Sequence, residues 1–245
     1  MGARLLAPMQ LRVPEPGFRI VPAAELRGLI GPEALADWAG FARSWNELDV
    51  DHFMADGGRY RRRRFGCFSV TASTIVRKPH QPHYQERAYN SLNGGIERWF
   101  EPVTDLIAAH PITQRILAIC RSAFAASTQG PVPDRWHVEM HQFRIEPDGA
   151  HEGKPTPEGM HRDGVDWVLV TLVARRNVAG GVTAIGDEQQ RPLGTFELRE
   201  PLDAVLLDDR RVWHGVTPLK VSIAGQPAYR DALVVTFRAE PPATP

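Results

Sequence analysis

The sequence predicts an α+β fold in which short strands close into a sandwich, barrel or jelly roll and helices pack outside them. Three observations carry this. Glycine and proline each occur 21 times in 245 residues, about 17% together against a usual ~12%, the excess a turn-rich chain needs. From Trp136 onward, short β-like runs recur between turn residues. Before that point, apolar residues recur instead at helical spacing.

In chain order, Pro32 suits the first turn of a helix, and Leu35, Trp38, Ala42, Trp45 and Leu48 follow on one face. Arg64 to Val76 is rich in aromatic and β-branched residues and reads as strand. A second helical stretch covers about Val103 to Ser127. Pro111 restarts it, and Ile112, Ile116, Ile119, Cys120 and Phe124 form its apolar stripe. The later strands are expected at Trp136–Ile145, Trp167–Ala174, Gly181–Ile185, Gly194–Leu198, Ala204–Leu207, Gly215–Val221 and Tyr229–Phe237. Pro147-Asp148-Gly149, Gly180-Gly181 and Gly225-Gln226-Pro227 punctuate them, and Asn93-Gly94-Gly95 reads as a turn. Trp99, Phe100 and Trp167 read as core aromatics. No repeat or linker divides the chain, so one domain is expected: a helical part over about 20–130, a β-core over about 135–239 and a loose tail at 240–245.

The 29 basic and 29 acidic side chains cancel, which argues against a generic binder of nucleic acid or membrane surfaces. Cys67 and Cys120 are far apart with no CxxC, so neither a disulfide framework nor a cysteine zinc site is expected. MGARLLAPMQ lacks the apolar stretch of a secretory signal, and Trp167–Ala174 is far short of a membrane span. A cytoplasmic protein is the expectation.

His161-Arg162-Asp163 carries the first sign of chemistry. On extended chain, residues i and i+2 face the same way, so one imidazole and one carboxylate can reach a common point. About half such a match arises by chance in this composition, so context decides. The context is His214, in DDRRVWHGVTPL on a later strand. Two histidines and one carboxylate on one face, with open positions opposite, form the ligand set of non-haem Fe(II) oxygenases. Arg230 opens the final strand, where its guanidinium could grip the far carboxylate of 2-oxoglutarate; a surface ion pair with Asp231 is the plainer alternative.

His137, Glu139 and His141 offer a rival H-x-E-x-H set. Successive ligands along one strand stand about 7 Å apart, too splayed for one ion, so His141 reads instead as lining the pocket beside the metal. His80 and His83 flank Gln81-Pro82 and read as idle loop residues.

The blocks YRRRRFGCF, HYQERAYNSLNGGIERWFEPV, HQFRI, PTPEGMHRDG and DDRRVWHGVTPL together resemble the bacterial 2OG-Fe(II) dioxygenases related to isoleucine 4-hydroxylase, over roughly residues 45–238. The resemblance implies a double-stranded β-helix (jelly roll, cupin-like) core and flanking N-terminal helices. It also implies Fe(II), 2-oxoglutarate and O2, and hydroxylation of a free L-amino acid with release of succinate and CO2. Carried over by position, His161, Asp163 and His214 are the metal ligands and Arg230 the 2-oxoglutarate anchor, with Arg238 a rival at the other end of the same strand. Asp163 stands where related halogenases carry a small residue, which favours hydroxylation. In the run Arg61–Arg64, the face bearing Tyr60, Arg62 and Arg64 is a candidate for the substrate α-carboxylate, and Asp166 for its ammonium. Two other outcomes fit the residues: a non-catalytic metal-binding or sensing module, and the same iron chemistry ending in desaturation or ring closure.

Overall fold

Residues 11–241, apart from 91 and 93, are described by a computed structural model. The N-terminal decapeptide, Asn93 of the expected turn and most of the expected loose tail therefore lie outside the described residues. The elements are β1 (Phe18–Val21), α1 (Ala23–Ile30), α2 (Pro32–Leu35), α3 (Trp38–Arg43), β2 (Asp49–Val50), β3 (Arg61–Thr71), β4 (Ile75–Arg77), α4 (Asp105–Ala108), α5 (Pro111–Ser127), β5 (Arg135–Ile145), β6 (Trp167–Arg176), β7 (Val178–Gly180), β8 (Val182–Gly186), β9 (Pro192–Glu197), β10 (Ala204–Asp208), β11 (Trp213–Val216), β12 (Leu219–Val221) and β13 (Tyr229–Ala239).

A large antiparallel sheet runs in the order β1-β10-β6-β13-β5-β3-β2, with β4 also on β3. Smaller sheets, β11-β8-β9 and β12-β7, lie apart from it in pairing. The large sheet is buried on both faces. One face presents Phe68, Val70, Val138, Met140, Leu169, Leu233, Val235 and Phe237 to the helices. Helix α5 answers with Ile112, Ile116, Cys120 and Phe124 of the expected stripe and with Leu117, which the stripe did not include, while Ile119 is only half-buried. Phe124 stacks on Trp167 at 5.3 Å and meets Phe237 edge-on at 5.1 Å. Each such fully buried apolar side chain contributes about 1.5–3 kcal/mol. The other face carries Val168, Val205 and Leu207, which pack against Ile185 of the smaller β8 sheet. A cavity opens between those layers.

Several boundaries depart from the sequence expectation. The helix expected from Pro32 breaks after Leu35, because Asp37 turns its side chain onto the Gly40 N–H and caps a new helix. A 3-10 turn at Ser44–Glu47 then follows. The strand expected over Gly215–Val221 divides around Pro218 into β11 and β12, which pair with different partners; proline has no N–H to continue a ladder. Trp99 is 55% exposed rather than a core residue, whereas Phe100 and Trp167 are buried. Both cysteines are free and buried. Among the described residues no helix is long and apolar enough to cross a membrane.

Candidate metal centre and its cavity

His161 and Asp163 lie on the segment before β6, and His214 lies on β11. The two histidines are tied by their own backbones: each N–H donates to the other's carbonyl, at 2.9 and 3.0 Å. Gly215 permits this approach, since a Cβ there would stand 3.0 Å from the Gly159 carbonyl and the Met160 sulfur. The rings are 4.4 Å apart between centroids. Nε2 of His161 and Nε2 of His214 each lie 3.6 Å from an oxygen of Asp163. The three donor atoms fall within 4.8 Å of one another.

Atoms around the triad orient it. Nδ1 of His161 lies 3.0 Å from the Gly159 carbonyl; donating its proton there leaves Nε2 as the inward-facing ligand atom. The buried Asp209 carboxylate accepts the N–H groups of Asp163, Gly164 and Val165 at 2.9, 2.8 and 3.1 Å. Its own N–H donates to the Asp166 carbonyl at 3.0 Å. The loop that presents Asp163 is thus held by a carboxylate outside the donor set.

The charges respond to this crowding. Burial pushes the His214 imidazole down to about 4, with His161 beside it acting in the same direction. His161 is also desolvated, but the Asp163 and Glu158 carboxylates outweigh burial and raise it to about 9. Burial would raise the Asp163 carboxyl; the His161 hydrogen bond and the charge of His214 reverse that and hold it below the usual range. Burial, then the neighbouring Asp163 charge, lifts Asp209 to about 7. Carboxylates converge on His161 as they would converge on a cation, and the N2O donor set with one open side suits Fe(II). The residues present fit the metal.

The triad faces a cavity whose other walls include Arg61, Arg63, His83, Gln85, Arg98, Glu139, His141 and Arg230. Arg230 is 3% exposed, and its Nε and one Nη have no hydrogen-bond partner. Burial lowers it to about 10, so it remains a cation at neutral pH. The ion pair considered for it at Asp231 goes instead to Arg144, in a two-bond fork at 2.7 Å on both arms. Arg238, the rival anchor, is exposed and outside this cavity.

Across the cavity, Glu139 collects three imidazoles. His83 Nδ1 is 3.0 Å away, His137 Nε2 3.4 Å and His141 Nε2 3.6 Å. Nη2 of Arg63 donates to Nδ1 of His141 at 2.7 Å, and its guanidinium stacks over Phe100 at 3.6 Å. Burial pushes His141 down to about 3 and lowers His83 as well, while the charge of His83 and the imidazole hydrogen bonds outweigh burial at Glu139 and hold its carboxyl well below the usual range. His83, expected to be idle, belongs to this cluster, because its loop folds back through paired hydrogen bonds with Arg98.

The cavity contains His161, Asp163, His214, Arg230 and His141 of the expected residues, and not the others. Tyr60 bonds to Asp56, Arg62 to Glu146, and Arg64 to the Glu47 carbonyl. The opposite face of β3, with Arg61 and Arg63, lines the cavity instead. Asp166 caps the strand end by accepting the Ala239 N–H at 2.7 Å. His80 is exposed and meets the Trp99 ring at 5.4 Å. Asp209, Glu158 and Arg98 were missed. Only Asp209 had a sequence signal, the paired acids ahead of the second histidine.

Comparison with known proteins was consistent with this geometry. A family model for 2OG-Fe dioxygenases matches residues 42–236. L-isoleucine-4-hydroxylase of Bacillus thuringiensis is 28% identical over 200 residues, which cover 78% of this chain and 81% of that protein. The crystal structure of a bsmA homologue from Methylobium petroleophilum aligns with a TM-score of 0.82 at 38% identity, over 94% of this chain and 92% of the other. IDO from Bacillus thuringiensis gives a TM-score of 0.77 at 20% identity, over 92% and 95%. The shared architecture is the jelly roll, a double-stranded β-helix core with helices on one side.

Proposed function

Because the chain belongs to the 2OG-Fe dioxygenase family, whose enzymes use Fe(II), 2-oxoglutarate and O2, we propose that it hydroxylates an aliphatic carbon of a free L-amino acid. His161, Asp163 and His214 hold the iron in this reading, and Arg230 holds the far carboxylate of 2-oxoglutarate. The observation that carries it is the pairing of a three-donor cluster with a buried guanidinium that has unpartnered N–H groups in the same cavity. A metal-binding module would have no use for that cation, which is costly to bury unpaired.

The chain's own groups divide the work. His161 and His214 present Nε2 on a frame set by their backbone pairing, and Asp209 holds the Asp163 loop from behind. Bound Fe(II) supplies O2 activation coupled to the conversion of 2-oxoglutarate into succinate and CO2. Arg230 fixes the cosubstrate through charge-assisted hydrogen bonds. Val165, Val170, Val216 and Val234 line the cavity with apolar surface, which keeps water from the reacting carbon and suits an aliphatic side chain. The L-isoleucine-4-hydroxylase relative supports an amino acid as the substrate class.

The test is incubation of the Fe(II)-loaded protein with 2-oxoglutarate, O2 and each of the twenty L-amino acids. Mass spectrometry should find succinate and one amino acid heavier by one oxygen. A product lighter by two hydrogens would replace hydroxylation with desaturation. Iron bound without any succinate would overturn the enzymatic reading.

A further inference from the structure

The cavity contains one cation more than the iron and 2-oxoglutarate require. Arg61 is paired with Asp51 at 2.6 Å. Arg63 also has an unpartnered Nε, but its Nη2 bonds His141 at 2.7 Å and its Nη1 lies 3.7 Å from the Asp51 carboxylate. Arg230 is assigned to the cosubstrate. Arg98 remains: it is 2% exposed, its Nε has no partner, and no carboxylate lies within 4 Å of it among the described residues. Among the described residues its one side-chain bond is a long 3.4 Å contact from Nη2 to the Gln85 amide oxygen.

A matching acid lines the same cavity. Oε2 of Glu158 is buried without a hydrogen-bond partner, while Oε1 stands 3.6 Å from His161. Glu158 is among the charges that act on Arg98, yet the two do not form an ion pair. A buried cation and a buried anion, each unsatisfied and held apart, suit a ligand carrying both opposite charges on neighbouring atoms.

We propose that Arg98 and Glu158 form a zwitterion subsite, in which Arg98 takes the α-carboxylate and Glu158 the α-ammonium of a free amino acid. This deepens the amino-acid hydroxylase reading and rests on it. Gln85 ties the subsite to the metal loop: its amide N–H donates to the Asp163 carbonyl at 3.1 Å and its oxygen faces Arg98. A substrate fixed by its charged head would direct its side chain along the valine-lined part of the cavity. An N-acylated amino acid lacks the positive charge Glu158 needs, and a decarboxylated amine lacks the anion Arg98 needs.

The test is anaerobic calorimetry on the Fe(II)- and 2-oxoglutarate-loaded protein, beginning with L-isoleucine and extending to the other common L-amino acids. In wild type, the bound amino acid should exceed its deaminated, decarboxylated and N-acetylated analogues by about 100-fold or more in affinity. This result needs no variant to fold. Arg98→Gln should weaken the amino acid by about 10–100-fold, leave 2-oxoglutarate affinity within about twofold, and be partly rescued by Arg98→Lys. Glu158→Gln should narrow the preference over the deaminated analogue to less than about 10-fold.

Arg98→Gln weakening 2-oxoglutarate instead would reassign Arg98 to the cosubstrate and overturn the subsite. An amino acid that binds wild type no better than its analogues would also overturn it while leaving the hydroxylase reading intact. If none of the twenty binds, the amino-acid reading fails and the subsite fails with it.

Discussion

Two histidine–carboxylate clusters face each other across one cavity, and they are built on opposite principles. In the triad, the supporting contacts come from outside the donor set. Asp209 holds the backbone of the Asp163 loop, Gly159 accepts from the far nitrogen of His161, and both Nε2 atoms face inward. Around Glu139, the supports lie within the cluster: His83, His137 and His141 turn toward the carboxylate, and Arg63 takes the remaining nitrogen of His141. The first cluster is braced at its periphery, except at His214 Nδ1, which is buried without a partner, and leaves its centre open for a ligand. The second satisfies its centre and acts as a wall. Residue type alone does not separate them, since both meet the distance criterion for holding an ion. What separates them is where the unspent hydrogen-bonding capacity points.

Breaking one ligand on each side should give the widest contrast. Asp163→Ala should lose bound iron and lower turnover by about 1,000-fold or more with the circular dichroism spectrum unchanged. Glu139→Gln should retain iron but lower thermal stability, since the imidazoles turned toward it lose hydrogen bonds to a charged acceptor, each worth about 1.5–3 kcal/mol. Metal analysis alongside a melting curve decides it, and iron loss in Glu139→Gln would merge the two clusters.

The two arginines of β13 sharpen the same contrast. Arg230→Gln should raise the 2-oxoglutarate concentration needed for half-maximal succinate formation by about 10–100-fold. Arg238→Gln, at an exposed position, should change it less than twofold. The reverse pattern would move the anchor to the other end of the strand.

Support from outside the triad predicts a graded effect. Asp209→Ala removes the acceptor for three backbone N–H groups without touching a donor atom, and should weaken metal binding by about 10–100-fold, read by competition with a chelator. An unchanged affinity would mean that the loop holds its shape unaided.

A last contrast concerns acid. Burial holds His141 at about 3 in the folded protein against 6.5 for the free side chain. The unfolded chain therefore binds the extra proton between those values, and stability falls as pH drops through that window. His141→Gln should flatten the acid limb of melting temperature against pH between about 3 and 6.5. An unchanged limb would mean that His141 is not held neutral.

That His161 and Asp163 come to one point was legible in the sequence, because alternation on an extended chain needs no knowledge of the rest of the fold, whereas the meeting with His214 depends on the pairing of distant segments. The face of β3 was not legible. Alternation separates Arg61 and Arg63 from Arg62 and Arg64, but it does not say which pair faces the cavity. Both faces become apolar further along, with Phe65 and Cys67 on one and Phe68 and Val70 on the other. A strand buried on both sides loses the polarity that normally reveals its inner face. His83 and Arg98 were illegible for a different reason, since their positions depend on a loop closing on itself. The helical stretch from Pro32 was right at Trp45 and Leu48, which are buried, less so at the half-buried Leu35, Trp38 and Ala42, and missed Phe41, the buried residue of α3; it was wrong in continuity, because the cap at Asp37 outweighs the apolar period.

The reciprocal backbone bonds between His161 and His214 have a consequence for how the protein acquires its metal. The spacing of the two imidazoles is set by a main-chain clasp of two backbone hydrogen bonds, in which neither ring takes part. Iron would then be a guest entering a finished socket, not the rivet that closes the fold. Such a centre can be emptied and refilled, or receive the wrong divalent ion, without the polypeptide passing through an unfolded state, so metal choice falls to the cell's supply as much as to the protein.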